Sequence, residues 1–306
     1  MSIKLHQLKA FETIAHTGSI RSASRTLGVS QPSLTKNIKE LEASLGISLM
    51  VRNSNGIALT LLGEEFLQHT QLILRELDLA QETIKQHLDT LSGHVSVGLG
   101  GSLACSLLLS VIAKFRQKFP SVKLNITEGQ VEPHLLSLRQ GEFDFCINTA
   151  KPELNNNDLA FEPLLNMEYQ IFARKGHQLE HATQLTELKD CDWILPVMRT
   201  GFHKQALDIL IQHKLNPNIA ITCNSYFTTA EMLKKTDCLS IFAVTTKQCS
   251  CSEDDLVALN LDHKLPTASY YLIKRKSSPL SPLANKLANL FQEACRPLFS
   301  RKEESE

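Results

Sequence analysis

The sequence lacks the features that would place the chain in a membrane or outside the cell. No secretory signal is visible, and the longest apolar stretch, Leu103 to Ala113, is too short for a bilayer and is interrupted by Ser106 and Ser110. The 8 cysteines show no disulfide-dense spacing. These absences favour a cytoplasmic protein with reduced cysteines and no membrane partner.

Sequence signatures of an enzyme are also lacking. We find no Ser-His-Asp order, no nucleophile elbow and no phosphate-binding glycine loop. Cys249-x-Cys251 would make a weak metal or oxidant-sensing site, because no further ligand lies nearby in the sequence. His177 and His181 have the spacing of helical metal ligands, but they follow Gly176, which favours a loop. We therefore expect a protein that is not an enzyme and that needs no metal or cofactor.

The net charge is zero over 306 residues, but the charges are unevenly distributed. Residues 1–62 carry seven Lys and Arg side chains against three Glu, a net charge of +4. Residues 63–92 carry two cationic side chains against six acidic ones, a net charge of −4. The length exceeds one typical domain. A basic N-terminus on a nearly neutral body is typical of a protein whose first domain alone contacts phosphates.

The most informative segment lies between Gly18 and Leu45. Ser19 and Ser30 are favourable helix N-cap residues, and Gly28 with the following valine predicts a sharp turn between two helices. Apolar side chains in the second helix recur at spacings of four, three and four residues, so they face the core: Leu34, Ile38, Leu41 and Leu45. The pattern predicts a helix-turn-helix for the major groove of DNA. An ordinary helical hairpin is the alternative.

The flanking segments extend this motif to a winged helix-turn-helix at residues 1–60. An apolar stripe from Leu5 to Ala15 predicts a preceding helix, and two alternating strands around an Asn/Gly turn predict a β-hairpin wing. The candidate DNA-binding residues lie at the start of the second motif helix, on its face opposite the core, or at the wing: Gln31, Pro32, Ser33, Thr35, Lys36, Lys39 and Arg52.

This head resembles that of LysR-type transcriptional regulators. The shared residues include Leu5-x-x-Leu8-x-x-Phe11, Gly18-Ser19-Ile20, Val29-Ser30-Gln31-Pro32-Ser33-Leu34-Thr35, Leu49-x-x-Arg52 and Leu59-Thr60-x-x-Gly63. The pairs Met50-Val51 and Leu61-Leu62 depart from the family's commoner residues. The resemblance implies a transcriptional regulator that binds double-stranded promoter DNA, assembles as a homodimer or as a tetramer of two dimers, and works with RNA polymerase.

A long helix is predicted between the head and the rest of the chain, at residues 61–92. Its apolar positions recur at alternating spacings of four and three residues over more than three repeats, which predicts a two-stranded coiled coil. Packing on the chain's own C-terminal part is the alternative. The resemblance also implies a dimerising linker helix. The predicted dimerisation residues are Phe66, Ile73, Leu77, Ile84 and Leu91.

Beyond the linker, strand and helix patterns alternate, which predicts an α/β domain with a parallel sheet behind the all-α head. Strands are expected at 94–100, 122–127 and 143–148, with helices at 103–119 and 133–140 between them. The pattern repeats from 168 to 243, and a strand at 269–275 and a helix at 283–299 return the chain to the first lobe. This two-lobed arrangement at residues 93–302 resembles the family's periplasmic-binding-protein-like effector domain, with lobe I at about 93–166 and 270–302 and lobe II at about 167–269.

Open α/β sheets bind ligands at the carboxyl ends of their strands, where this sequence has hydroxyl and amide side chains. Such residues are also natural helix caps. We expect a small-molecule effector, a co-inducer, between the lobes, in contact with Ser102, Asn148, Thr149, Arg199, Thr200, Asn224, Ser225 and Phe242. Arg199 would serve an anionic effector. The segment from Cys238 to Thr245 departs from the family's glycine-rich phrase, so the effector's identity does not follow. A ligand-binding protein without DNA is the second functional class, and the head contradicts it.

Overall fold

The computed structural model describes residues 3–53, 56–87, 92–150, 152, 157–197, 201–243 and 255–299. These residues form two compact units, of which the first takes the chain up to His87 together with Arg139–Glu142, and the second takes the remainder. Five residues from the sequence-based predictions lie outside the described parts: Leu91, Arg199, Thr200, Cys249 and Cys251. For Arg52 only the backbone is described.

The head is a winged helix-turn-helix, as predicted. Its elements are α1 (Leu5–Thr17), α2 (Ile20–Leu27), α3 (Gln31–Leu45) and the antiparallel strands β1 (Met50–Asn53) and β2 (Gly56–Leu59). The Ser19 and Ser30 side chains accept hydrogen bonds from the backbone N–H groups of Ser22 and Ser33, so both are N-caps. Gly28 has a φ of 65°, which lets the chain turn sharply between α2 and α3. The core comprises Ala10, Phe11, Ile14, Ala23, Leu34, Ile38, Leu41 and Leu49.

The linker helix α4 spans Leu61–His87, and its 27 residues extend over about 40 Å. Its first turns belong to the head, because the Phe66 ring packs against Phe11 with centroids 5.4 Å apart. Farther along, Ile73 and Ile84 are 50% and 62% exposed in the single chain. The helix therefore presents an apolar surface that its own chain leaves uncovered at these two positions.

The second unit contains the two lobes. Its elements in chain order are β3 (His94–Leu99), α5 (Gly101–Ser106), α6 (Leu108–Lys118), β4 (Lys123–Glu128), α7 (Val131–Arg139), β5 (Phe145–Thr149), β6 (Leu159–Met167), β7 (Tyr169–Arg174), β8 (Asp192–Leu195), α8 (Gly201–Gln212), β9 (Asn218–Thr222), α9 (Tyr226–Leu233), β10 (Ser240–Ala243), β11 (Leu256–Ala258), β12 (Ala268–Arg275) and α10 (Pro282–Phe299). A 3₁₀ helix at Leu185–Leu188 precedes β8.

Lobe I is built on a five-stranded sheet in the order β4-β3-β5-β12-β6. Strands β3, β4 and β5 are parallel, as predicted, but β12 runs antiparallel to both β5 and β6. The sheet is therefore mixed, and the direction of β12 was not part of the prediction. The single helix predicted at 103–119 was wrong, because it is interrupted at Leu107. Just before this break, the Ser106 hydroxyl donates a hydrogen bond of 2.8 Å to the Ser102 carbonyl, a contact that often bends helices.

Lobe II contains two small sheets. Strand β7 pairs antiparallel with β10 and β11, whereas β8 and β9 are parallel. Trp193, the chain's only tryptophan, lies on β8, is fully buried and forms a bridge with Leu239. Its indole N–H has no hydrogen-bond partner among the described residues.

The His177/His181 pair is not a metal site in this structure. His177 is buried and bonds through both ring nitrogens, to the backbone N–H of Leu179 and the carbonyl of Asp237, whereas His181 is exposed. Within the described ranges, no group of three or more His, Cys, Asp or Glu side chains is arranged to hold a metal ion. The helices in those ranges include none that is long and apolar enough to cross a membrane.

Candidate DNA interface and effector cleft

Six of the seven predicted DNA-binding residues lie on α3, on its surface away from the core of the head, and the seventh, Arg52, lies on β1. Gln31, Pro32, Ser33, Lys36 and Lys39 are exposed at the surface. Thr35 is half-buried, and its hydroxyl donates a hydrogen bond of 2.9 Å to the carbonyl of Gln31. This face is polar and cationic, and the buried face of the same helix forms the head's core.

Sequence reasoning omitted one carboxylate on this face, that of Glu40. Its Oε1 lies 3.8 Å from the Nζ atom of Lys36, one helical turn earlier. Its Oε2 accepts a hydrogen bond of 3.3 Å from the Gln7 side chain on α1. Glu40 therefore places a negative charge next to a lysine that we expect to contact phosphate.

Replacing Glu40 by glutamine should strengthen DNA binding. The change removes repulsion from phosphates and releases Lys36 from its ion pair, so we expect affinity for non-specific duplex DNA to rise about threefold or more at ~0.1 M salt. Fluorescence anisotropy with labelled duplexes measures this effect. Glu64→Gln on α4 makes the same change in charge outside α3 and should leave the affinity unchanged. An unaltered affinity for Glu40→Gln would contradict the placement of α3 on DNA.

All six predicted effector residues that the structure describes line one cleft in the second unit. Four separate segments of the chain contribute them, and they face a free volume of about 50 Å³: Ser102, Asn148 with Thr149, Asn224 with Ser225, and Phe242. By the measure in which one water needs about 10–15 Å³, this space holds about four waters. The cleft is therefore small.

Two buried tyrosines, which sequence reasoning missed, form the floor of the cleft. The Ser102 hydroxyl lies 2.9 Å from the hydroxyl of Tyr169, which in turn lies 2.7 Å from the hydroxyl of Tyr270. Burial raises the pKa of Tyr169 well above its usual value and also raises the pKa of Tyr270. Both hydroxyls are therefore neutral near pH 7 and link the start of β7 to β12.

Two amide side chains at the cleft, those of Asn148 and Asn224, form hydrogen bonds to neighbouring segments of the protein. The Asn148 Nδ2 atom donates to the Gly129 carbonyl at 3.1 Å and lies 3.2 Å from Nδ1 of His134, while its Oδ1 accepts the backbone N–H of Thr149 at 2.9 Å. Burial lowers the pKa of His134 to about 4, so the neutral ring accepts this bond. Asn224 accepts the backbone N–H of Val197 at 2.9 Å.

A contact between Glu128, at the end of β4, and α9 closes one side of the cleft. Glu128 Oε1 accepts a hydrogen bond of 3.0 Å from the backbone N–H of Tyr226, the first residue of α9. Ser225 is the N-cap of that helix, and its side chain accepts from the backbone N–H of Thr228. A methyl group on Gly101 would lie only 2.7 Å from Tyr226 Cβ, so this close approach requires glycine.

Aromatic rings and a neutral histidine complete the walls. Tyr169 packs on Phe202 with centroids 4.1 Å apart, and Tyr226 meets Phe242 edge to face at 4.6 Å. Burial lowers the pKa of His203 to about 4, although its hydrogen bond to the backbone of Ile241 acts in the opposite direction. The cleft thus combines aromatic surface with neutral hydrogen-bonding groups and one carboxylate, as small-molecule sites commonly do.

Comparison with known proteins assigns the family. The family model described as "Bacterial regulatory helix-turn-helix protein, lysR family" matches residues 5–64, and the "LysR substrate binding domain" matches residues 88–296. The chain belongs to the LysR family of transcriptional regulators. It is thus a transcriptional regulator with a DNA-binding head and an effector-binding domain, and it is not an enzyme. LysR regulators bind promoter DNA and form oligomers.

Similar proteins extend over almost the whole chain. The HTH-type transcriptional regulator TdcA of Escherichia coli (strain K12) is 27% identical over 290 residues, which cover 95% of this chain and 93% of TdcA. A full-length OxyR variant from Pseudomonas aeruginosa has a TM-score of 0.71 at 20% identity and covers 97% of this chain and 98% of its own. Full-length CbnR complexed with its target DNA has a TM-score of 0.67 at 18% identity, over 95% of this chain and 99% of CbnR. These structural likenesses support the fold of this LysR regulator.

Proposed function

We propose that this LysR-type regulator binds promoter DNA through α3 and the wing and is switched by a small-molecule effector between its lobes. In this proposal the head takes residues 1–60, the linker helix 61–92 and the effector domain 93–302. The linker pairs two chains, two such dimers form a tetramer, and the protein acts on RNA polymerase in the cytoplasm. The proposed effector contacts are the six described residues of the cleft together with Arg199 and Thr200.

The observation that carries this proposal is the convergence of residues from distant segments at one cleft. Ser102 lies at the start of α5, Thr149 at the end of β5 and Ser225 at the cap of α9. They belong to different lobes, so a ligand between them contacts both. A ligand shifts a conformational equilibrium only if it binds one state better than the other, and a ligand held by two lobes favours the arrangement that fits it.

A gel-shift assay with the DNA upstream of the protein's own gene tests whether the protein binds DNA under the control of an effector. We expect the full chain to bind this DNA and a metabolite found by a thermal-shift screen to change its affinity or footprint. Ser102→Ala removes the hydroxyl that joins lobe I to Tyr169, so it should reduce the response to that metabolite by about tenfold and leave DNA affinity without the metabolite unchanged. Ser110→Ala, at an exposed position of α6, is the matched control. A full response in Ser102→Ala would argue against the cleft.

A further inference from the structure

The charge of the cleft narrows the class of the effector, on the assumption that the proposed function is correct. Glu128 is the only carboxylate among the described lining residues, and those residues include no lysine or arginine. Arg199, which the proposed function also places at the cleft, lies outside the described residues. We propose that the effector carries a protonated amine and that Glu128 binds it. This site residue was absent from the sequence-based predictions.

Glu128 is held in place for such a contact. Its Oε1 accepts the N–H of Tyr226 at 3.0 Å, which fixes one oxygen against the first turn of α9. No described residue forms a hydrogen bond or an ion pair with its Oε2. A carboxylate has acceptor capacity on both oxygens, so Oε2 can accept from an ammonium group while the bond to Tyr226 stays intact.

An anionic effector would meet the opposite situation. The α9 N-terminus is the natural place for an anion in lobe II, but the Glu128 carboxylate already occupies it. An incoming carboxylate would have to break this bond and then lie beside a like charge. The histidine that lines the cavity, His203, is neutral at pH 7 and supplies no positive charge. The proposed contact Arg199 would pair with the carboxylate of an amino acid and leaves the ammonium group to Glu128. A cation gains a charge-assisted hydrogen bond without displacing anything.

The other groups of the cleft complement a small polar cation. The free volume of about 50 Å³ admits only a few heavy atoms unless the lobes separate. The Thr149 side chain offers a hydroxyl, and the Tyr226 and Phe242 rings offer apolar surface. An amine and an amino acid share the ammonium group, so both sources have to be compared.

The test uses three compounds that share a two-carbon unit: alanine, ethylamine, which lacks the carboxylate of alanine, and propionate, which lacks its amine. Titration calorimetry and the thermal midpoint of the full chain are measured with each compound. We expect ethylamine or alanine to bind wild-type protein, and Glu128→Gln to weaken that binding about fivefold, because Glu128 is exposed and solvent screens its charge. Glutamine keeps an oxygen for the Tyr226 N–H, so the fold should be preserved. Glu293→Gln, at an exposed position of α10, makes the same charge change elsewhere and should have no effect.

Binding of ethylamine, with or without alanine, would indicate an amine effector, and binding of alanine without ethylamine an amino acid. Either result supports the proposal when Glu128→Gln weakens the binding. Binding of propionate alone, equal binding of the ammonium compounds to Glu128→Gln, or no binding of either ammonium compound overturns it. Thr149→Trp should fill the cleft. This variant distinguishes a failure of the proposed effector site from a failure of the proposed ammonium group alone. If propionate binds and Thr149→Trp abolishes that binding, the cleft remains the effector site and only the charge assignment fails. If Thr149→Trp leaves all ligand binding intact, the proposed effector site fails as well.

Discussion

Glutamate at both Ile73 and Leu77 should dissociate the dimer that we propose for the linker helix. Ile73 is 50% exposed and Leu77 is half-buried in the single chain, so a partner helix is needed to cover them. A two-fold seam would bury four carboxylates without partners, at a cost of about 3–5 kcal/mol for each unpaired charge. Sedimentation velocity at micromolar concentration should show the loss of the linker-mediated dimer. DNA affinity should fall with it, because paired heads are needed to hold two half-sites.

Gln68→Glu combined with Gln81→Glu is the matched control for this experiment. Both glutamines lie on the same helix, are exposed, and are outside the predicted seam. The control adds the same negative charge and should leave the oligomeric state unchanged. If the Ile73/Leu77 variant sediments as the same oligomer as the wild type while remaining helical, α4 is not the principal dimer interface.

The second large effect is expected on DNA affinity when residues on the exposed face of α3 are replaced. Lys36→Ala should weaken DNA binding by about tenfold near 0.1 M salt and reduce the slope of log affinity against log salt by about one, because one phosphate contact is lost. Gln31→Ala should weaken binding to the preferred site by about tenfold with little change in salt dependence, because an amide side chain reads base edges. Anisotropy titrations at several salt concentrations separate the two effects.

Lys123→Ala is the control for charge, because Lys123 is an exposed lysine on β4 in the effector domain. It should leave both the affinity and the salt slope unchanged. If Lys36→Ala and Gln31→Ala behave like this control while the protein stays folded, the assigned DNA-binding face is wrong.

The sequence was most informative where structure depends on near neighbours. The caps at Ser19 and Ser30, the turn at Gly28 and the periodicity of α3 act within a few residues, and the whole head followed from them. Strands β6 and β11 were missed because their pairing is non-local. Strand β6 contains Pro163 and is stabilised by β12, which lies far along the chain. No local sequence pattern predicts such a distant strand partner.

At the cleft, too, local features could be predicted from the sequence and non-local contacts could not. The rule that ligands bind at strand ends led to six residues that do line one cavity. The same rule also covers Glu128, the last residue of β4, which was not among the predicted residues. Tyr169 and Tyr270 lie at or near the beginning of their strands, not at the end. Their hydroxyls meet because Tyr169 lies just after β6, whose Met167 pairs with Ala268 of β12. This pairing joins segments about 100 residues apart, which no local pattern predicts.

The burial of Trp193 has a practical consequence for studying this regulator. It is the only indole in the chain, so tryptophan emission arises from lobe II alone, and the head and linker contribute nothing to it. A residue with 0% exposure should emit at short wavelength and resist quenching by iodide. A change in intensity or colour during a titration would thus report an event in the effector domain, even when DNA is bound. The unmodified protein carries its own optical reporter.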